Sequence, residues 1–203
     1  TEESGLVHRQ SGTCSAVSIA EHNTIWIIDP IDGSVNFSTH NPFFAISIAV
    51  MQQGVLQLGV IEAPILMEQF VAIRGQGATV NGQPLHVSTT ANLADSYLLS
   101  CDGGVVDRTM VFSTTVRNYY DQVKDFRKLG SAALECAWVA SGRADGYITM
   151  AIDPWDVAAG VLLVQEAGGM VTTFEGKEWT PIQADVIVSN TVLHRGILNR
   201  IWD

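Results

Sequence analysis

The sequence predicts a mixed α/β (α+β) fold, in which an antiparallel half is followed by a half where strands and helices alternate. Runs of β-branched and aromatic residues, separated by tight-turn residues, fill the first 92 positions, and apolar helix-like segments ended by glycine follow them. Of the 203 residues, 47% are hydrophobic and 16% are charged, which allows a sizeable core. We expect the two halves, residues 1–92 and 93–203, to form one structural unit.

The first half reads as a series of strands after a long Ser/Gly-punctuated loop over residues 4–23. The strand patterns cover 24–28, then 43–51 and 54–61, which form an antiparallel pair turning at Gln52-Gln53-Gly54. The stretch "EQFVAIRGQGATVNGQPLHVS" continues as a strand, a glycine-rich turn and a hairpin at Asn81-Gly82.

The second half alternates strand and helix patterns. Strands are predicted over 96–100, 125–129, 144–150 and 186–189, and helices over 106–120, 131–141, 156–167 and 192–201. Ser131 is placed to cap its helix, which Gly142 ends. This alternation is typical of an α/β arrangement.

Charge and cysteine content restrict the function classes. Eleven Lys and Arg against 21 Asp and Glu give a formal net charge of -10, the opposite of what a nucleic-acid groove needs. The three cysteines are widely spaced and form no metal-binding pair, which favours a reducing, cytoplasmic setting. No apolar run is long enough to predict a membrane span. The chain opens on "TEESG" without an initiator methionine, so we expect earlier residues of the protein to be missing.

Carboxylates stand at the edges of apolar segments in three places. Asp29 and Asp32 follow the strand in "TIWIIDPIDGSVNF", Asp156 opens the buried helix of "DPWDVAAGVLLVQEAGG", and Glu2 lies at the start of the chain. An ionised carboxylate beside a core is costly unless it is paired, and few Lys or Arg lie near these points in sequence. Mg²⁺ is an alternative partner, because it prefers hard oxygen ligands and shares its shell with substrate phosphate.

The residues around the aspartates fit a phosphate site. Pro30 stiffens the turn, Gly33 lets the backbone approach an anion closely, and Ser34 is placed to begin a short helix. Two metal ions held there could clamp a phosphomonoester, one activating water and the other stabilising the leaving oxygen. The same D-x-x-D-G pattern also occurs in plain turns, where Asp and Gly serve backbone geometry. Residue types alone leave both interpretations open.

Two long stretches resemble the signatures of the inositol monophosphatase family. "WIIDPIDGSVNF" is similar to the first, W-x-I-D-P-[IL]-D-G-T-x-N-F, and "PWDVAAGVLLVQEAGG" is similar to the second, W-D-x-A-A-G-x-x-L-x-x-E-A-G-G. "TEES" resembles the upstream glutamate motif, and "RGQGATVNGQPLHVS" and "LGSAALECAWVASGRADGYI" read like family segments. The resemblance covers nearly the whole chain, without the family's N-terminal helices. It implies a layered αβαβα sandwich, a cytoplasmic enzyme and a homodimer.

The resemblance also implies roles for individual residues. The expected catalytic residues are Glu2, Asp29, Asp32 and Ser34; the expected metal ligands are Glu2, Asp29, the Ile31 carbonyl, Asp32 and Asp156. Gly33 and Ser34 are expected to bind phosphate, and Asp32, Ser131, Ala132, Thr149 and Asp156 to contact the rest of the substrate. Family enzymes use two or three Mg²⁺ per site, for which Mn²⁺ can substitute, and are often inhibited by Li⁺.

Departures from the family pattern bear on activity and substrate. Ser34 replaces the usual Thr, which keeps the hydroxyl, but the acidic partner of that hydroxyl lies on the missing N-terminal helices. Thr149 stands where inositol phosphatases usually have a Glu that grips the polyol, and a threonine cannot act as an anionic acceptor. This weakens the assignment of inositol phosphate as the substrate.

The sequence thus predicts a phosphoric monoester hydrolase that acts on a small polyol or sugar phosphate, with no nucleic-acid or membrane partner. Myo-inositol-1-phosphate is the leading substrate. Fructose-1,6-bisphosphate, alone or with inositol phosphate, histidinol phosphate and 3′-phosphoadenosine nucleotides are the alternatives within the superfamily. A catalytically weak relative that works through protein contacts is the alternative from another class.

Overall fold

The computed structural model describes residues 23–101 and 117–201, which form two β-sheets with helices between and beside them. The first sheet is antiparallel and keeps chain order. Its strands are β1 (Thr24–Asp32), β2 (Ala45–Gln52), β3 (Val55–Ala63), β4 (Glu68–Ile73), β5 (Gly77–Val80) and β6 (Gln83–Pro84). Tight turns join consecutive strands from β2 to β6, whereas a segment with a short helix, residues 33–44, connects β1 to β2. The expected antiparallel pairing in the first half is confirmed.

The second sheet is mixed, with strand order β10-β11-β9-β7-β8. Its strands are β7 (Tyr97–Cys101), β8 (Asp125–Arg127), β9 (Gly146–Met150), β10 (Met170–Thr172) and β11 (Asp185–Ser189). Strand β7 runs parallel to β8 and β9, whereas β11 is antiparallel to β9 and β10. The helices are α1 (Ser34–Ser38), α2 (Ala132–Ala140), α3 (Pro154–Glu166) and α4 (His194–Leu198).

Helices α2 and α3 form the central layer between the sheets. Nearly every residue of α2 and nine residues of α3 are buried, as expected for helices that are apolar on all sides. The main core joins them to both sheets, through residues such as Ile61 and Phe70 on one side and Leu99 and Val188 on the other. A second cluster lies between the mixed sheet and α4, and includes Leu98, Ile148 and Ile197.

The described residues therefore form four layers, in the order sheet, helices, sheet, helix. The opposite face of the first sheet carries Trp26, Ile28 and Ile46, which are 45%, 40% and 38% exposed. The outer helical layer that an αβαβα sandwich would place on this face is not supplied by residues 23–101 or 117–201. Within those same ranges, no helix has both the length and the apolar character that crossing a bilayer requires.

Several predicted boundaries needed correction. Strand β1 continues through Pro30 to Asp32, because β1 is an edge strand, where a proline can be tolerated. Helix α3 starts at Pro154, whose fixed φ suits a first helical position, so Asp156 lies in the first turn. The last helix is shorter than predicted because it contains Gly196 and has no side-chain cap at its start.

The other predicted bounds of helices and strands lie closer to those in the structure. Ser131 caps α2 as predicted, accepting a hydrogen bond from the Leu134 N–H at 3.4 Å. Strand β9 begins at Gly146 and not at Ala144, since the Ala144 N–H still bonds to the Trp138 carbonyl beyond α2. Strand β10 was not predicted. The predicted helix over 106–120 lies mostly outside the described residues, of which 117–119 are helical, and the 4–23 loop also lies outside apart from residue 23.

The division of the chain at residue 92 stays a prediction. The strands of the first sheet all precede this point and those of the second all follow it. Both central helices come from the second half and pack against strands of the first.

The contact between α2 and α3 gives a testable prediction about Gly160. A Cβ added there would collide with the Cβ of Cys136 and lie 3.0 Å from its Sγ, so the two helices can approach closely only with glycine. Gly160→Ala should lower the free energy of unfolding by about 1–3 kcal/mol through overpacking, although alanine normally favours a helix. Urea unfolding monitored by circular dichroism measures the change.

Gly196→Ala is the matched control for this prediction. Gly196 is also helical, but a Cβ added there meets no atom within 4 Å. This variant should be neutral or gain up to about 1 kcal/mol from helix propensity. Equal stabilities for the two variants would contradict close packing at Gly160.

Candidate metal centre

A bulge at the end of β1 turns Asp29 and Asp32 toward the same side of the sheet. Side chains alternate along a strand, so residues three apart ordinarily point to opposite faces. Here Asp29 pairs with Ser47 and Asp32 pairs with Ala45, so a three-residue step on β1 spans a two-residue step on β2. The extra residue reverses the alternation. The Asp29 carboxylate also accepts the Ile31 N–H at 3.0 Å, which fixes the turn.

Ser47 connects the bulge to the start of helix α3. It is buried in β2 opposite Asp29, and its Oγ donates to the Trp155 carbonyl at 3.2 Å. Asp156 is the next residue, and its Oδ2 accepts the Asp153 N–H at 3.3 Å, which holds it in the first turn of the helix. Ser47 thus holds together the two chain segments that carry Asp29 and Asp156.

Asp32, the last residue of β1, is buried, and its carboxylate lies beside the N-terminus of helix α2. Its Oδ2 accepts a hydrogen bond from the Ser131 hydroxyl and another from the Ala133 N–H, at 3.0 Å. Both bonds favour the ionised form, but burial outweighs them and, with Asp29 nearby, raises the pKa of Asp32 to about 7.

The three aspartates form a tight cluster of oxygen donors. One carboxylate oxygen from each of Asp29, Asp32 and Asp156 lies within 4.8 Å of the others. Burial, followed by the charge of Asp32 and by the hydrogen bond and charge of Asp29, raises the pKa of Asp156 to about 8. No salt bridge in the described part of the chain pairs a Lys or Arg with any of them. Three carboxylates that repel one another and form no salt bridge within the described residues offer the oxygen ligands that a hard divalent cation such as Mg²⁺ prefers.

A cavity of about 460 Å³ opens beside this cluster. The predicted site residues that line it are Asp29, Ile31, Asp32, Gly33, Ser34, Ala132 and Asp156. Gly33 has φ +84°, and a Cβ added there would lie 3.0 Å from the Gly130 carbonyl oxygen, so only glycine suits this position. Ser34 is exposed at the start of α1. The carboxylates and the Gly33–Ser34 backbone therefore face one space.

Comparison with known proteins decides the family. A model of the inositol monophosphatase family matches residues 2–203. The chain belongs to the inositol monophosphatase family.

Relatives are found among curated proteins and solved structures. The chain is 44% identical over 170 residues to the fructose-1,6-bisphosphatase/inositol-1-monophosphatase of Thermotoga maritima, covering 84% of this chain and 64% of that protein. It is 38% identical over 207 residues to the Nus factor SuhB of Escherichia coli, covering 100% and 73%. The solved IMPase of Thermotoga maritima superposes with a TM-score of 0.82 at 40% identity, covering 89% and 69%. The chain thus spans less than two thirds of the first of these relatives.

The structure places the remaining predicted residues of this family site as follows. Ser131 contacts the site through its hydrogen bond to Asp32. Thr149 is buried in β9, donates to the Cys101 carbonyl at 3.0 Å and is not among the residues that line the cavity. Glu2 lies outside the described residues. The roles assigned to all of these residues stay predictions.

Other residues at the site were missed by sequence reasoning. Ser47 carries no local signal, because its importance depends on strand pairing and on a contact 108 residues away. Asn36 lies within the first family signature, but sequence reasoning gave no sign that its side chain also donates to the Leu129 carbonyl, 93 positions away. Among the described residues that line the cavity, Lys128 is the one with a basic side chain.

The raised pKa values predict how stability changes with pH without metal. Asp32 and Asp156 have pKa values of about 7 and about 8 in the folded chain, against an ordinary 3.8. Above pH 3.8 the folded chain therefore keeps protons that the unfolded chain has released, so stability falls progressively as pH rises toward the folded pKa values and levels off above them. With EDTA present, the Tm should fall between about pH 6.5 and 8 and level off above about pH 8.5, and saturating Mn²⁺ should restore it.

The control for this prediction is Asp32→Asn, which removes one titrating group and its repulsion of Asp156. Its Tm with EDTA should depend less on pH, and Mn²⁺ should stabilise it less. Burial lowers the pKa of His194 to about 4, so that group is neutral above its ordinary value of 6.5 and does not contribute in this range. A parent chain whose Tm with EDTA rises across the range would contradict the buried, mutually repelling cluster.

Proposed function

We propose that this protein is a Mg²⁺-dependent phosphomonoesterase that hydrolyses a small polyol or sugar phosphate. The observation that carries the proposal is the cluster of Asp29, Asp32 and Asp156, whose oxygens lie within 4.8 Å of one another at a cavity lined by Gly33 and Ser34. Family membership supports the same reaction. We also propose the family's homodimer, lithium sensitivity and cytoplasmic location for this chain.

The carboxylates of Asp29, Asp32 and Asp156 would hold the metal, together with the Ile31 carbonyl and Glu2. Bound there, divalent ions would offset the charge of the phosphate and make water a stronger nucleophile near neutral pH. The hydrogen bonds that Ile31, Ser131, Ala133 and Asp153 donate to the three aspartates orient these side chains before a ligand arrives. Such preorganisation reduces the rearrangement needed during the reaction.

The remaining residues of the cavity would bind the substrate. We propose that the Gly33 and Ser34 backbone and the Ser34 hydroxyl contact the phosphate. Gly130 and Ala132 line the cavity with them and would contact the alcohol part of the substrate. A volume of about 460 Å³ is within the range of small-molecule sites, about 300–1,000 Å³.

We favour two substrates, fructose-1,6-bisphosphate and inositol-1-phosphate. The Thermotoga maritima relative is named for both fructose-1,6-bisphosphatase and inositol-1-monophosphatase activities, and we propose one or both substrates here. Thr149 is a poor candidate for gripping inositol, because it is buried, lies off the cavity and is uncharged. Lys128 would place a positive charge at the cavity, which a substrate with a second phosphate would use better than inositol-1-phosphate.

A binding function is the second candidate, and the relative named Nus factor SuhB in Escherichia coli favours it. A chain that acts only through protein contacts has no need of a working metal site. Calorimetric titration with Mg²⁺ and Mn²⁺ separates the two candidates, because an absence of metal binding would favour the purely binding relative.

A substrate panel tests the choice of substrate. Myo-inositol-1-phosphate, fructose-1,6-bisphosphate, histidinol phosphate and a 3′-phosphoadenosine nucleotide are incubated with the full chain and Mg²⁺, and released phosphate is measured. We expect turnover of inositol-1-phosphate, fructose-1,6-bisphosphate or both, and a rate that falls on adding EDTA. Release from none of the four, by a chain that binds metal, would overturn the proposed activity.

Asp29→Asn tests the role of the cluster. The substitution keeps the acceptor for the Ile31 N–H but removes a charged ligand, so the fold should persist and kcat should fall by at least about 10²-fold. Circular dichroism checks the fold and phosphate release measures the rate. Asp121→Asn makes the same chemical change at an exposed residue that does not line the cavity, and should leave the rate unchanged. A near-parental rate for Asp29→Asn would show that the metal assignment is wrong.

A further inference from the structure

Glu135 is a fully buried acid for which the proposed reaction gives no role. It lies in the first turn of α2, is 0% exposed, and its Oε1 accepts the Leu129 N–H at 2.7 Å. Its Oε2 is buried without a hydrogen-bond partner among the described residues. Burial raises the pKa of Glu135 well above its ordinary value. A leucine would fill this space without burying a carboxyl, so the Leu129 contact is what the acid adds.

Leu129 belongs to a short segment, residues 128–131, which connects β8 to α2 and which we call the 128–131 loop. Lys128, Leu129 and Gly130 of this loop line the cavity, and Ser131 donates to Asp32. The position of the loop therefore sets both one wall of the cavity and the hydrogen bond on a carboxylate of the cluster.

The loop is also held from the opposite side. Asn36 of α1 donates from Nδ2 to the Leu129 carbonyl at 2.8 Å and to the Phe43 carbonyl at 2.7 Å. The backbone of Leu129 is thus bonded at its N–H by Glu135 and at its carbonyl by Asn36. Gly33 packs directly against Gly130 and Ser131 of the loop. A Cβ added to Gly33 would lie 3.0 Å from the Gly130 carbonyl oxygen and 3.2 Å from the Ser131 Cβ.

We propose that Glu135 is a positioning residue, which holds the 128–131 loop against the Gly33–Asn36 segment and so fixes the width of the substrate cavity and the orientation of Asp32. This inference rests on the proposed function for its kinetic consequence only. A change of about 1 Å in a site can reduce a rate by about two orders of magnitude, so a residue that never touches the substrate can still govern binding.

Glu135→Leu tests the proposal in the full chain. The Leu129 N–H loses its buried acceptor, so amide exchange in the 128–131 loop should accelerate at least about tenfold, by mass spectrometry of peptides covering it. The Kd for Mn²⁺ should rise about fivefold, because Ser131 no longer holds Asp32 in place. The KM for a phosphomonoester that the parent hydrolyses should rise roughly tenfold, with a smaller change in kcat.

Glu135→Gln is the conservative rescue. A glutamine keeps an oxygen at the position of Oε1, so loop exchange, the Kd for Mn²⁺ and KM should stay within about twofold of the parent. A glutamine variant impaired as much as the leucine variant would overturn the proposal, because the charge and not the hydrogen bond would then matter.

Glu166→Leu is the matched control. Glu166 also accepts backbone N–H groups of a turn, from Gly75 and Gly77 at 2.9 Å each, but none of the three lines the cavity. This variant should accelerate exchange around residues 75–77 and leave the Kd for Mn²⁺ and KM unchanged. A general loss of stability would affect the Glu135 and Glu166 variants alike and would overturn the positioning role.

Two further outcomes are distinguishable. If Glu135→Leu does not fold, Asn36→Ala breaks the loop contact from the other side and should also accelerate exchange of the 128–131 loop; unchanged exchange would overturn the proposal.

If the parent hydrolyses no phosphomonoester, the proposed function fails, while exchange and Mn²⁺ binding still test Glu135. Folded Glu135→Leu with parental loop exchange and Mn²⁺ affinity would refute the role of Glu135.

Discussion

The structure around the site depends on one electrostatic constraint, the placement of three carboxylates within 4.8 Å of one another at a partly buried edge. Like charges at this separation repel, and burial removes the water that would screen them. The raised pKa values of Asp32 and Asp156 express this conflict. A hard cation bound among the three carboxylates, as we propose, would offset this repulsion.

Each carboxylate is held in this arrangement by a different part of the fold. The bulge in β1 orients Asp29 and Asp32, the Ser47 bond to Trp155 joins the sheet to α3, and the start of α2 supplies the donors to Asp32. These elements meet because α2 and α3 pack closely between the two sheets. The glycine at the contact of the two helices therefore matters for the site as well as for the core.

Sequence reasoning located the elements and the acids but not the contacts that orient them. The apolar strand before Asp29, the Ser131 cap and the helix that carries Asp156 all follow from local pattern. The bulge does not, since it depends on pairing between β1 and β2. Ser131 and Asp32 are 99 positions apart, and Glu135 in an apolar helix gives no hint of its bond to Leu129. Long-range packing decides such contacts, and a single sequence does not encode it in a readable period.

Glu135 and Asp32 show that burial of an acid can have two different consequences in one site. Asp32 accepts two hydrogen bonds at the start of a helix and still has a raised pKa, so its charge is left for a cation to balance. Glu135 lies deeper, where a charge has no such partner, and its use is as a hydrogen-bond acceptor for the backbone. Asp32 is therefore one of the three carboxylates that give the site its negative charge, and Glu135, as we propose, holds the loop that orients Asp32.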